Sequence, residues 1–235
     1  MPINRRSFIQ HSVAAGVGAG FISATESSSL AFPRPEKDAI SLAMWSLISS
    51  FRAGVWKLTD AHRICREDFG IDGIEYVTAF FEVPVESYLK RLNKTAADHG
   101  VKNVLIMVDG EGSMVSKEKA VRKQAVINHR KWIDIANYLG CHSIRTNCRG
   151  LEEASPEENL KWAVDAYQQL LEYASEAGIN VVIENHGGVS NDPVWMEQLF
   201  NEIDHPLFGS YPDWRRPGPE FDNLAYLEKM LPYAK

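Results

Sequence analysis

Glu184 and His186 stand two residues apart, directly after the apolar run Val181-Val182-Ile183. On an extended backbone, residues i and i+2 point to the same side, so a carboxylate and an imidazole would share one face. A carboxylate at the tip of a buried strand must either be paired with a cationic side chain or ligate a metal ion. The imidazole can relay a proton or touch a hydroxyl. A histidine in a Gly-rich loop such as Gly187-Gly188 can also be an ordinary surface residue. Other apolar runs end in polar residues in the same way. These are Trp45-Ser46, Glu75, Asp109, Arg145 with Asn147, and Asp213. Arg145 can clamp a hydroxyl or carboxylate of a ligand, or it can form a structural ion pair with Glu184 or Glu75. Asp213 can cap a short turn before Arg215-Arg216. Asp109 and Glu111, in a Gly-rich loop, can shape a rim.

The elements that would carry these residues follow a strict rhythm from residue 39. The runs 39–47, 73–77, 103–108, 142–147, 180–184 and 208–213 read as strands buried on both faces. Between them, helices are predicted over 59–69, 85–99, 117–139, 157–177 and 193–203, and a sixth begins at 221. The first four end at Gly70, Gly100, Gly140 and Gly178, each just before a strand. Glycine there suits the left-handed turn that closes a helix. Strand–helix alternation implies parallel strands with right-handed crossovers. No GxGxxG follows the first strand, so a dinucleotide fold has no support. Polar residues at the ends of several strands favour a (β/α)8 barrel over a doubly wound sheet, because barrel enzymes draw their chemistry from those ends.

In this order, the motifs resemble the xylose-isomerase-like barrel superfamily, the sugar phosphate isomerase/epimerase proteins. Ser41-Leu42-Ala43-Met44-Trp45-Ser46-Leu47 is similar to the family's first strand, and Gly70 to Val77 (GIDGIEYV) to its second. Val108-Asp109-Gly110-Glu111-Gly112 resembles the loop after its third strand. Glu184-Asn185-His186-Gly187-Gly188 resembles its metal strand, and Pro212-Asp213-Trp214 the next ligand strand. The resemblance covers residues 39–235. It implies a metal-dependent sugar, sugar phosphate or polyol isomerase or epimerase that works through an enediolate. It makes Glu184 and Asp213 ligands of a divalent metal; hard oxygen donors suit Mn²⁺, Mg²⁺ or Co²⁺, with Zn²⁺ possible. It also makes Glu184 a proton shuttle. His186 and Glu75 are then candidate catalytic residues, and Arg145, Asn147 and Trp45 candidates for holding a sugar. Trp45 can stack on a sugar face or simply pack.

The family pattern continues with a His after strand seven and a Glu after strand eight, which have no counterpart here. His62, His99 and His129 fall on helices and His205 in a turn at the opposite end of the strands. About six strand–helix units are therefore expected, with open edges at strands one and six, and the 235 residues read as part of a longer protein.

Residues 1–30 are a different kind of sequence. Asn4-Arg5-Arg6-Ser7-Phe8-Ile9 resembles a twin-arginine export motif, and the short apolar stretch Val13 to Ile22 follows it. That stretch is too short to span a bilayer. A periplasmic or extracytoplasmic location is expected, with residues 39–235 as the barrel domain. The net charge of −6 disfavours nucleic acid as a partner, and with it a DNA-repair endonuclease on the same barrel. A carbohydrate-binding barrel without catalysis is the other alternative. A small-molecule sugar is the expected partner, without stable membrane insertion; a homo-oligomer remains open. Cys65, Cys141 and Cys148 form no CxxC pair and read as small, partly buried hydrophobes.

Overall fold

The structure is a computed structural model that describes residues 40–214 and 222–235. The export motif, the start of the first predicted strand and Arg215-Arg216 lie outside the described residues.

Six strands form one parallel sheet in the sequential order β1 to β6. They are β1 (Ser41–Ala43), β2 (Gly73–Val77), β3 (Lys102–Met107), β4 (Ser143–Asn147), β5 (Asn180–Glu184) and β6 (Phe208–Tyr211). The α-helices are α1 (Ile48–Arg52), α2 (Ala61–Arg63), α3 (Glu86–His99), α4 (Lys119–Leu139), α5 (Pro156–Ala177), α6 (Pro193–Ile203) and α7 (Asn223–Met230). A doubly wound sheet would reverse its strand order at a switch point, and this one does not. The four predicted glycine caps all adopt positive φ, between 61° and 75°.

Register shows which side chains share a face. Glu75 pairs with Leu105, Met107 with Arg145, Arg145 with Val182, Asn147 with Glu184, and Glu184 with Tyr211. Those residues line one side of the sheet. Their neighbours Ile74, Ile106, Ile144, Val181 and Ile183 line the other side and are buried in the hydrophobic core with the helices. The Tyr211 hydroxyl on β6 donates to Glu75 Oε2 on β2 at 2.6 Å. Four strand spacings in a flat sheet would separate them by roughly 19 Å. The sheet is therefore curled, with the polar face inside, as a TIM-barrel wall is. Beyond β6, Ala234 forms a parallel bridge to Ser210. A Cβ on Gly209 would lie 2.3 Å from the Tyr233 carbonyl oxygen, so only glycine lets this segment approach.

Two elements depart from the expected outline. The run after Ala43 leaves the strand and turns into a 3-10 segment, Met44–Leu47, followed by α1. Met44 and Leu47 are buried at helical spacing, and a short apolar run satisfies either geometry. The stretch 58–68 is helical but not uniform: a 3-10 turn (Leu58–Asp60), α2, then a π turn (Ile64–Asp68). Asp60 acts in its cap by reaching back to accept from the Lys57 amide at 2.9 Å. Pro156 opens α5 behind a capping box of Ser155 and Glu158.

The cysteines are fully rather than partly buried, and all three are free. Burial pushes the Cys65 thiol up to about 11 and those of Cys141 and Cys148 to about 12. They are inert thiols at neutral pH.

Two helix histidines face the core. His62 Nε2 lies 2.7 Å from the Tyr76 hydroxyl and 3.0 Å from Asn103 Oδ1, and its Nδ1 is 2.8 Å from Thr95 Oγ1. Tyr76 donates to Asn103 Oδ1. The Thr95 hydroxyl also donates to the Leu92 carbonyl at 3.0 Å. Burial holds the pKa values of His62 and His129 below the usual 6.5. As pH falls below about 6.5 the unfolded chain takes up these protons first, so stability is full above that value and declines toward the folded values. Urea midpoints are expected to fall between pH 7 and pH 5, and less steeply in His62→Gln.

Candidate active site

The C-terminal ends of the strands open onto one cavity of about 890 Å³, a size that suits a small ligand. Trp45, Asp109, Arg145, Asn147, Glu184, His186 and Asp213 all line it. Five of the six strand ends thus bring these residues together, while Glu75 and Glu111 lie outside the lining. Glu75 lies deeper and accepts hydrogen bonds from Ser41 and Tyr211 rather than pairing with Arg145, and Glu111 accepts from Trp132 Nε1 and pairs with Lys131. Burial, then the charge of Glu75, raises the Tyr211 phenol well above its usual pKa.

Arg145 is the hub of the floor, with only 2% of its side chain exposed. Its Nη1 donates to Asp109 Oδ1 at 2.7 Å, and its Nε lies 3.0 Å from Glu184 Oε2. The pairing of Glu184 with Arg145 is thus real, but it is shared with Asp109. Asn147 Nδ2 also donates to Asp109 Oδ1, at 2.7 Å. Burial would raise the Asp109 pKa, but the charge of Arg145 and the hydrogen bonds from Arg145 and Asn147 outweigh it and hold the carboxyl below its usual range. His186 Nδ1 sits 3.5 Å from Glu184 Oε1, so the imidazole and carboxylate do share a face. Trp45 both lines the cavity and packs edge-on against Phe80, at 5.6 Å between ring centroids.

The fit is imperfect in one respect. Among the described residues, six buried side-chain polar atoms lack an aligned hydrogen-bond partner, and three of them are here: Asp109 Oδ2, Arg145 Nε and Asn147 Oδ1. The Nε contact with Glu184 is therefore a charge contact, not an aligned hydrogen bond. Three of these six atoms thus meet on the cavity floor.

Several residues that build the site were not legible in the sequence. Asn185, fully buried, accepts from the Asp213 amide at 2.6 Å and donates to the Asp213 carbonyl at 3.2 Å. It thereby fixes Asp213 against the β5 loop. Arg149, two residues past the end of β4, also lines the cavity. The Val189 amide donates to the Arg149 carbonyl at 2.9 Å, which joins the β4 and β5 loops. A Cβ on Gly188 would lie 1.8 Å from that carbonyl oxygen, and Gly188 has φ of 60°. Gly188→Ala is expected to lower stability by more than about 2 kcal/mol, measured by urea unfolding. An unchanged midpoint would mean that the loops are not joined this way.

Among the described residues, no group of three His, Cys, Asp or Glu is placed to hold a metal ion. Glu184 and Asp213 suit a hard divalent cation in kind but not in number. Among the described residues, no helix is long and apolar enough to cross a membrane.

Fold and cavity together define a parallel α/β barrel wall with its site at the strand ends. Residues 66–215 match the family described as xylose isomerase-like TIM barrel, and the chain belongs to that family. No curated protein sequence matches the chain. Among solved structures it is similar to the probable 3-DHS dehydratase AsbF of Bacillus anthracis, at 17% identity over 84% of this chain and 71% of that one, with a TM-score of 0.67. It is similar to a D-tagatose 3-epimerase-like protein at 18% identity, over 83% and 72% of the two chains, with a TM-score of 0.67. It is also similar to a xylose isomerase-like TIM barrel protein from Mycobacterium smegmatis in complex with magnesium. There the identity is 20%, over 78% and 65% of the chains, with a TM-score of 0.58.

Proposed function

We propose that this protein is a metal-dependent isomerase or epimerase of a sugar, sugar phosphate or polyol. On a substrate that carries a carbonyl it moves a proton at the adjacent carbon, through an enediolate. The observation that carries this reading is the meeting of Glu184, Asp213, Arg145 and His186 in one strand-end cavity. The epimerase-like and magnesium-bound relatives support it.

In this reading Glu184 removes or returns the proton, and His186, 3.5 Å away, orients it or relays the proton to a substrate hydroxyl. Arg145 aims Glu184, and Asn147 holds the Asp109 end of the same network. Trp45 lines the cavity, where its ring can stack on the apolar face of the sugar. Glu75 acts through the Tyr211 hydroxyl, which it holds at the cavity wall. A divalent cation of the Mn, Mg or Co type, or Zn, when bound by Glu184 and Asp213 with further ligands, would supply Lewis-acid stabilisation of developing negative charge. Titration of the full-length protein with Mn²⁺ tests this. Binding is expected in the wild type and lost in Glu184→Ala and Asp213→Ala; equal binding by all three would contradict it.

We also propose that residues 1–30 direct twin-arginine export, on the strength of Arg5-Arg6 and the apolar stretch after them. Cell fractionation should find the protein in the periplasm, and Arg5→Lys with Arg6→Lys should retain it in the cytoplasm. A cytoplasmic wild type would sink the idea.

A further inference from the structure

Most charges lining the cavity compensate one another. Arg145 serves Asp109 and Glu184, and His186 faces Glu184. Arg149 is an exposed guanidinium in the same cavity with no carboxylate partner among the described residues, and Asp213 adds a third carboxylate to the lining. The Arg149 backbone is fixed. Its carbonyl is tied to the Val189 amide, and the next turn is pinned by Asn159, which is 2% exposed. Asn159 Oδ1 accepts from the Leu151 amide at 2.9 Å, and its Nδ2 donates to the Leu151 carbonyl at 3.0 Å. The side chain lies over Gly187, where a built Cβ would be 3.6 Å from Arg149 Cζ and Nη1. A bare glycine under a guanidinium leaves the planar fork open toward the cavity.

We infer that Arg149 is a specificity residue and that the substrate carries an anionic group, a carboxylate or a phosphate, which it binds. This rests on the isomerase or epimerase reading of the same cavity. A planar guanidinium with five donors matches either anion with two parallel hydrogen bonds. A neutral sugar leaves Arg149 in water and gains nothing from it. An anionic sugar replaces water with charge-assisted bonds on a backbone that is already fixed, so the ordering cost is confined to the side chain. The site is exposed, so added salt weakens the preference.

The test is calorimetric titration of the full-length protein with D-fructose, D-gluconate and D-fructose 6-phosphate. It is run on the wild type, Arg149→Gln and Arg149→Lys. At least one of the two anions should bind the wild type about tenfold or more tighter than D-fructose. The tighter anion tells carboxylate from phosphate. Arg149→Gln should bring the ratio close to one with an unchanged melting temperature, and Arg149→Lys should keep part of it. Equal binding of all three sugars, a preference untouched by Arg149→Gln, or no binding of either anion overturns the inference. Solvent-deuterium exchange keeps this separate from the activity itself. Exchange into a neutral ketose without an Arg149 effect leaves the activity standing and removes only the anion. Arg149-dependent anion binding without exchange into any sugar does the reverse.

Discussion

Arg145→Met is expected to lower the unfolding free energy by about 3 kcal/mol at pH 7, the largest loss of any single substitution in the cavity. The side chain is 2% exposed and holds two carboxylates, Asp109 at 2.7 Å and Glu184 at 3.0 Å. Methionine fills similar volume but leaves both acids with no compensating charge in a partly desolvated pocket. The magnitude sits at the low end for a broken buried pair because Asp109 keeps 27% of its side-chain surface in water. Acid should soften the defect, since protonating the two carboxyls removes the uncompensated charge. Adding Asp109→Asn to Arg145→Met should recover part of the loss, because the two residues are directly coupled. Urea unfolding of the single and double variants measures this. Strict additivity would show that the pair is not coupled and that Arg145 stabilises through packing alone.

Glu184→Gln is expected to behave in the opposite way. It should reduce proton exchange at carbon by about a thousandfold or more, as loss of a positioned acid–base group does. It should change stability by only about 1 kcal/mol, because Arg145 retains Asp109 as its counter-charge. The split between a large kinetic and a small thermodynamic effect is the useful readout. A purely structural carboxylate would give the reverse, a loss of stability with activity per folded molecule preserved. Glu184→Asp, which keeps the charge but withdraws it, should fall between the two in rate.

The contrast also shows what the sequence could and could not disclose. The strand–helix rhythm was legible because each signal is local: apolar runs of strand length, and glycines such as Gly100 and Gly178 that close helices. Glu184 and His186 were legible from their two-residue spacing, although β5 ends at Glu184 and the contact is set by a tight turn in which the His186 amide donates to the Glu184 carbonyl at 2.9 Å. The 39–47 run misled at its C-terminal half, since burying Met44 and Leu47 is equally satisfied by a helical turn. Glu75 misled in its partner. Its contact with Tyr211 joins residues 136 positions apart and exists only because the sheet curls. Asp109 read as a rim residue, yet it is the main counter-charge of Arg145, a pairing set by the β3–β4 register. Asn185 and Arg149 carried no pattern at all. An asparagine that cross-links two loops and an arginine over a glycine are defined by what lies opposite them in space. The one available hint was their position, one and two residues past the ends of β5 and β4.

The central claim is that Glu184 and its neighbours move a proton at a carbon next to a carbonyl. The most direct test incubates the full-length protein with Mn²⁺ and a panel of ketoses in D₂O, and follows deuterium at carbon by NMR. Deuterium is expected in at least one recovered sugar with the wild type, and none above background with Glu184→Gln. No deuterium in any sugar, or equal incorporation by Glu184→Gln, would contradict it.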